Sequence, residues 1–397
     1  MRQGAASISR RRHEDGLTVA VDISPLYESL TGVGWYLHEV LRQLADRPGL
    51  RLRLYGPSMF MRPDAAQPVR PLASGRAIEW VRHELPDDLL VRRPWLAALL
   101  RGVEPWLVAA DRNRVLFAPN FVLPWQLAFA RRPLVVTVHD MTLLRTSWAM
   151  QEETRAALDE KLERTIARAR AIVTPSETVR MEILEAGGAA PDAIHVTWEA
   201  SRLERVSRGA LPAAVPDRFV LHVGTIEPRK NVAILLSAWP RLRAMMQDAP
   251  PLVLCGKLGW QHASIEDALD RASAEGWLIR LGYTPDEVLR GLYDRAAVVV
   301  CPSLYEGFGL PLVEAMAAGA PLVCSDIPVF REVAGKAAEF VPPDDAARWA
   351  GTLARVLSEP DLRNALRTRG AARVRDFDWQ RTADRTLAIW SSVAAAE

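Results

Sequence analysis

Lysine is almost missing from this 397-residue chain: Lys161, Lys230, Lys257 and Lys336 stand against 46 arginines. In a chain that writes arginine nearly everywhere, Lys230, inside a glycine-led turn between a strand and a helix, points to a need for a compact ammonium there. Cysteine is scarce too. Cys255, Cys301 and Cys324 are an odd count, each inside a strand-like apolar run. They form no disulfide framework and read as reduced core residues of a cytosolic protein. No apolar run approaches the roughly eighteen residues that a membrane-spanning helix needs. Arg10-Arg11-Arg12 has no apolar segment behind it, so no secretory signal is expected. The absence of a Gly-x-Ser-x-Gly elbow removes the serine-hydrolase reading. The Asp-x-Asp at Asp376-Phe377-Asp378 lies beyond the strand-rich region and reads as a helix boundary capped by Asp378. No metal and no cofactor are expected.

What is present is an alternation of strands and helices. Short buried strands read at Val19–Ile23, Leu52–Tyr55, Val115–Ala118, Leu134–Val138, Ile172–Thr174 and Ile194–Val196, with helical patterns at Trp35–Ala45, Glu153–Arg170 and Glu177–Ala186. A second cycle places strands at Phe219–Val223, Leu252–Cys255, Ile279–Leu281, Val298–Cys301 and Leu322–Cys324. This is the pattern of doubly wound α/β folds with parallel sheets. Residues 207–217 lose periodicity, carry two prolines and a glycine, and read as a linker. The chain divides into residues 1–206, residues 218–378 and a last helix over 379–397.

Charge is unevenly spread. Residues 51–132 hold 13 arginines against 7 acidic residues, whereas residues 216–397 hold 21 basic and 23 acidic residues. A basic first half suits an anionic partner. No helix-turn-helix, zinc or RNA-binding aromatic signature accompanies it, so nucleic acid is not expected. Within residues 88–114, Trp95, Trp106 and several leucines interleave with Arg92, Arg93 and Arg101. That pattern fits a peripheral membrane contact and equally a core-packing excursion with a solvated basic face. Pro94 and Pro105 break it into pieces.

Two segments carry chemistry. After the strand Val298–Cys301 come Pro302, a loop with Glu306, Gly307 and Gly309, and Pro311 opening a helix that bears Glu314 on its first turn. Two carboxylates are thereby set at the carboxyl end of a sheet, beside glycines and a helix N-terminus that suit a phosphate. That combination fits a nucleotide sugar. Gly224-Thr225-Ile226-Glu227-Pro228-Arg229-Lys230-Asn231 follows the first strand of the second cycle and precedes a helix. Arg229 and Lys230 sit where a diphosphate would lie.

Glu306 to Glu314 matches the E-x7-E motif of retaining glycosyltransferases of family 4. The wording from Cys301-Pro302-Ser303 to Glu332-Val333-Ala334-Gly335 is similar to that family throughout. The resemblance implies the GT-B fold, two Rossmann-like domains facing a cleft, with the last helix packed back on the first domain. It implies that Glu314 binds the nucleotide ribose and Glu306 faces the transferred sugar. Gly307, Phe308, Gly309 and Leu310 would complete the donor pocket, and His139 would hydrogen-bond a sugar hydroxyl. Arg229 and Lys230 would hold the diphosphate. Thr225 stands where some members carry another arginine, which puts more of the load on Arg229. Gly32-Val33-Gly34 fails as a dinucleotide fingerprint, because Leu37 occupies the third glycine position. It resembles the family's first-domain loop, with Gly34 near the donor phosphate.

The wording Gly224–Asn231 is similar to mannosyltransferases that build bacterial surface polysaccharides from GDP-mannose. The resemblance therefore implies a cytoplasmic enzyme, peripheral on the inner face of the membrane, moving a sugar to a carbohydrate or lipid-linked saccharide acceptor with retention. A UDP-glucose-type glucosyltransferase shares most of these motifs. A non-hydrolysing nucleotide-sugar epimerase of GT-B fold would lack the E-x7-E wording. A catalytically dead sugar-nucleotide-binding subunit would have lost one of His139, Arg229, Lys230, Glu306 and Glu314.

Overall fold

A computed structural model of the chain describes residues 16–27, 32–56, 75–81, 113–123, 131–142, 152–259 and 263–396. The first cycle comprises β1 (Leu17–Asp22), α1 (Gly32–Leu44), β2 (Leu50–Tyr55), β3 (Ile78–Trp80), β4 (Val115–Ala118), β5 (Leu134–Thr137), α2 (Glu152–Arg168), β6 (Ala171–Thr174), α3 (Glu177–Ala186) and β7 (Ile194–Val196). The second begins with β8 (Val220–Val223), α4 (Val232–Met245), β9 (Leu252–Cys255), α5 (Ala263–Ala274), β10 (Leu278–Gly282), α6 (Asp286–Arg295) and β11 (Val298–Cys301). It continues with α7 (Leu310–Ala317), β12 (Leu322–Ser325), α8 (Pro328–Ala334), β13 (Ala338–Val341), α9 (Ala346–Ser358), α10 (Pro360–Arg373) and α11 (Trp379–Ala395).

Among the described residues the strands form a seven-stranded sheet, β3-β2-β1-β4-β5-β6-β7, and a six-stranded sheet, β10-β9-β8-β11-β12-β13. Every pairing is parallel. Both are doubly wound, and both reverse their strand order beside their first strand, where such folds open a binding crevice. Strands β4, β5, β6, β9, β11 and β12 are buried throughout. That explains why they read as unbroken apolar runs rather than alternating ones.

The sequence reading omits two strands, β3 and β13. Both are short edge strands with part-exposed residues, and neither carries a continuous apolar run. Helix α1 starts at Gly32 rather than Trp35, so Gly32, Val33 and Gly34 form its first turn instead of a loop before it.

Helix α11 returns to the first sheet. Trp390 is fully buried, with its ring 4.9 Å from that of Phe117 on β4. The Trp379 indole donates to the Ser201 carbonyl at 3.2 Å, and Arg114 donates to the Ala394 carbonyl at 3.1 Å. Asp378 caps the helix, accepting from the backbone N–H groups of Gln380 and Arg381. Of the proposed membrane segment, residues 88–112 lie outside the described residues. Among the described residues no helix is long and apolar enough to cross a membrane.

The two halves also touch along the cleft. Ser176 caps α3 through the Val179 N–H and donates its hydroxyl proton to the Gly307 carbonyl at 2.7 Å. The Glu332 carboxylate of α8 accepts from the N–H groups of Glu177 and Thr178 at the start of α3 and from the Trp198 indole. The Tyr305 hydroxyl donates to Glu182 and accepts from the Met141 N–H.

Candidate active site

The second sheet reverses its order between β8 and β11, and the loops after these two strands face each other across the carboxyl edge. After β8 the chain turns at Gly224, passes Glu227, and makes a short helical turn over Pro228–Lys230. Asn231 adopts the left-handed conformation (φ 54°), and its side-chain amide donates to the carbonyls of Pro302 and Pro343. The Leu304 N–H donates to the Arg229 carbonyl at 2.9 Å. These bonds fix the Arg229-Lys230 pair against the loop that follows β11.

Glu306 stands on that second loop, buried, between the two cations. Lys230 Nζ lies 2.5 Å from Oε1 and Arg229 Nη1 lies 2.8 Å from Oε2. The Ser303 hydroxyl donates to Oε1 at 2.8 Å. Burial alone would raise the carboxyl pKa, but the Lys230 and Arg229 charges and the hydrogen bonds outweigh it and hold it at about 2. Burial likewise works against the Arg229 charge, and Glu306, Asp140 and Glu227 more than restore it, so its pKa stands above the ordinary arginine value. Glu227 also binds Arg229 directly, at 2.9 Å. Asp140 belongs to the first half, so Arg229 feels both walls of the cleft.

Helix α7 is capped by Gly309 at φ 103° and begins at Leu310, with Pro311 in its first turn. Glu314 therefore falls just past the first turn rather than within it. It is buried, with Oε1 3.4 Å from Arg202 Nε. Burial raises its pKa; Arg202 and Tyr293 pull it back only in part, and Asp286 adds to the rise. Arg202 also pairs with Asp286 at 2.5 Å and lies over the Trp35 ring, 4.4 Å from its centre.

His139 follows β5 on the first wall. Its Nε2 is 2.9 Å from the Pro119 carbonyl, its Nδ1 is 3.2 Å from Glu199 Oε1, and the Tyr36 ring meets it edge-on at 4.9 Å. Gly307 packs on the His139 backbone: a Cβ there would fall 1.8 Å from the His139 carbonyl oxygen. Only glycine permits that approach.

Together these residues line a cleft of about 530 Å³. His139, Arg229, Lys230, Glu306, Gly307, Phe308, Gly309, Leu310 and Glu314 all border it. Gly34 does not. It is buried in the first turn of α1, and Gly32, Val33 and Trp35 face the cleft instead. Sequence reasoning also misses Glu199, Arg202, Glu227, Lys257, Tyr283 and Asp286 on the walls. Lys257 is visible in hindsight as one of the four lysines; its ammonium lies over the exposed Tyr283 ring at 5.3 Å. Among the described residues no group of His, Cys, Asp and Glu is arranged to hold a metal ion.

Residues 30–199 match Glycosyltransferase Family 4, and residues 205–373 match Glycosyl transferases group 1. The O-antigen chain mannosyltransferase B of Escherichia coli is 30% identical over 376 residues, spanning 91% of this chain and 96% of its own. The chain belongs to glycosyltransferase family 4. A phosphatidyl-myo-inositol mannosyltransferase of Mycobacterium leprae is likewise 30% identical, over 90% of this chain and 92% of its own length. Two solved structures share the GT-B fold. HepE of Anabaena, in complex with UDP and glucose, superposes with a TM-score of 0.70 at 17% identity, covering 95% of this chain and all of that one. Sucrose-phosphate synthase of Thermosynechococcus elongatus gives 0.71 at 20% identity, covering 96% and 100%. This family 4 glycosyltransferase thus has its E-x7-E carboxylates and its Arg-Lys pair on one cleft wall.

The Glu306 cluster has a pH signature. Its folded pKa of about 2 lies below the ordinary 4.5, so its stabilisation is complete above pH 4.5 and is lost as pH falls towards 2. Glu306→Gln should be less stable than the wild type at neutral pH by roughly 3 kcal/mol, the scale of breaking a buried ion pair. Urea denaturation of both proteins from pH 7 to pH 3 should show that difference shrinking. A difference independent of pH would remove the charge from the explanation.

Proposed function

We propose that this enzyme transfers mannose from GDP-mannose to a saccharide or lipid-linked saccharide acceptor, with retention at the anomeric carbon. The observation that carries the reading is the Arg229-Lys230 pair, held at the cleft by a buried Glu306. Two preorganised cations suit the diphosphate of a sugar nucleotide and the negative charge that grows on it as it departs. Glu314, with Arg202 beside it, is placed to accept from the ribose diol. Glu306 holds the cations and faces the transferred sugar, and His139 hydrogen-bonds a sugar hydroxyl from the opposite wall by exchanging its Nε2 contact with the Pro119 carbonyl. The mannosyl assignment is supported by the names of the two relatives above.

In the reaction the acceptor oxygen bonds to the anomeric carbon as the bond from that carbon to the phosphate oxygen breaks. The bonding pair leaves with the diphosphate, and the hydroxyl proton passes to a departing phosphate oxygen. Glu306, Glu314 and Glu199 are each engaged by a cation or by His139. That favours this same-face route over one in which a side chain becomes the nucleophile. Lys230, Arg229 and a helix N-terminus carry the charge, and no metal is required.

Incubation with a panel of GDP and UDP sugars should release nucleoside diphosphate fastest from GDP-mannose, undiminished by EDTA, and proton NMR of the product should show an α-linkage. Lys230→Ala should lower kcat/KM by about two to three powers of ten, and Glu314→Gln should raise the donor KM. Preference for UDP-glucose would replace the mannosyl reading; release from no sugar nucleotide would overturn the transferase reading.

For the acceptor side we propose a peripheral contact of residues 88–114 with an anionic membrane, supported by the arginine surplus over residues 51–132. Each arginine near such a surface contributes about 1 kcal/mol. The protein should sediment with anionic vesicles at low salt and release at high salt. Protein that stays in the supernatant at low salt would overturn the membrane contact and favour a soluble acceptor.

A further inference from the structure

His222 is a polar residue in the middle of β8, 1% exposed, beneath the loop that carries Arg229 and Lys230. Its Nδ1 lies 3.1 Å from the Val300 carbonyl of the neighbouring strand β11, so Nδ1 carries the proton and donates it. Nε2 is left as an acceptor, buried and without a hydrogen-bond partner. Burial pushes the ring's pKa down to about 4, and the Lys230 charge works in the same direction against the Val300 bond, so the imidazole is neutral at working pH. A buried acceptor without a partner costs about 1–3 kcal/mol. An aromatic or aliphatic residue would fill this place without that penalty.

The surroundings supply a reason for a histidine. His222 lines a cavity of about 10 Å³ together with Lys230, Ser303 and Glu306. Both side chains flank Gly224: a Cβ built there would lie 3.5 Å from Nε2 and 3.7 Å from Lys230 Cδ. A space of that size admits the centre of one water molecule, and a buried water needs two to four polar partners. This cavity offers them.

We propose that one water occupies this cavity, donates to His222 Nε2 and accepts from the Lys230 ammonium, so that His222 is a positioning residue for Lys230. The ammonium has three donors. One is spent on Glu306 Oε1 at 2.5 Å, the water fixes a second, and the third points into the cleft. The second proton of the water goes to an oxygen of Ser303 or Glu306. The inference rests on the reading of Lys230 as a diphosphate ligand and adds how its direction is set from behind.

Calorimetric titration of GDP and UDP into the wild type, His222→Phe and His222→Gln tests it, each well below its melting temperature. His222→Phe keeps the bulk and removes the acceptor; His222→Gln can return a carbonyl oxygen to the place of Nε2. Affinity for the nucleotide that the wild type prefers should fall about tenfold in His222→Phe, the scale of one hydrogen bond to a charged group. It should stay within about threefold in His222→Gln. Unchanged affinity in His222→Phe, or an equal loss in both variants, would reduce His222 to packing and overturn the inference. If the wild type binds neither nucleotide, the diphosphate reading falls and takes this one with it. Should His222→Phe fail to fold, a crystal structure of the wild type decides. An ordered water within hydrogen-bonding distance of both His222 Nε2 and Lys230 Nζ supports the proposal, and an empty cavity there contradicts it.

Discussion

A carboxylate buried between two cations governs this cleft. Glu306 could not remain charged at its depth without Lys230 and Arg229, and the two cations would repel each other without Glu306. The cluster ties the loop after β8 to the loop after β11, the two strands flanking the point where the second sheet reverses its order. A network of this kind contributes little net stability once desolvation is counted. What it supplies is position: two positive groups facing one cavity, in a geometry set before any anion arrives. On the proposed function, a diphosphate entering the cleft would meet that field without reorganising it, which is where electrostatic catalysis draws its advantage.

A second ionic cluster links the site to the other half of the molecule. Arg202 lies on the segment crossing from the first sheet to the second, and it reaches Glu314 on α7, Asp286 on α6 and the face of Trp35 on α1. The Glu314 end of the cleft is therefore tied to the first half by one guanidinium. Glu332, Tyr305 and Ser176 add hydrogen bonds across the same boundary. Gly307, pressed on the His139 carbonyl, leaves no room for a side chain there. The two halves therefore meet at the site itself.

The repeated α/β alternation was legible in the sequence because parallel strands buried on both faces are written as short apolar runs, and β4, β9 and β11 start and stop where those runs do. Edge strands β3 and β13, half-exposed and without such runs, left no comparable signal. The E-x7-E segment and the lone lysine of the β8 loop were legible because composition and spacing are local properties. The partnership of Glu199 with His139 spans 60 residues, and that of Arg202 with Glu314 spans more than a hundred. No periodicity links such positions; only the fold brings them together. Gly34 illustrates the converse. A glycine pair suggested a loop, but helix α1 absorbs both, and its exposed first residue and Trp35 form the wall.

A crystal structure of the enzyme with the nucleoside diphosphate of its preferred donor tests the central claim most directly. The diphosphate oxygens should contact Lys230 Nζ and the Arg229 guanidinium while Glu306 keeps its place behind them, with the ribose hydroxyls at Glu314. A diphosphate bound elsewhere in the cleft, with Arg229 and Lys230 turned wholly to Glu306, would show that the cluster holds the fold together and does not receive the donor.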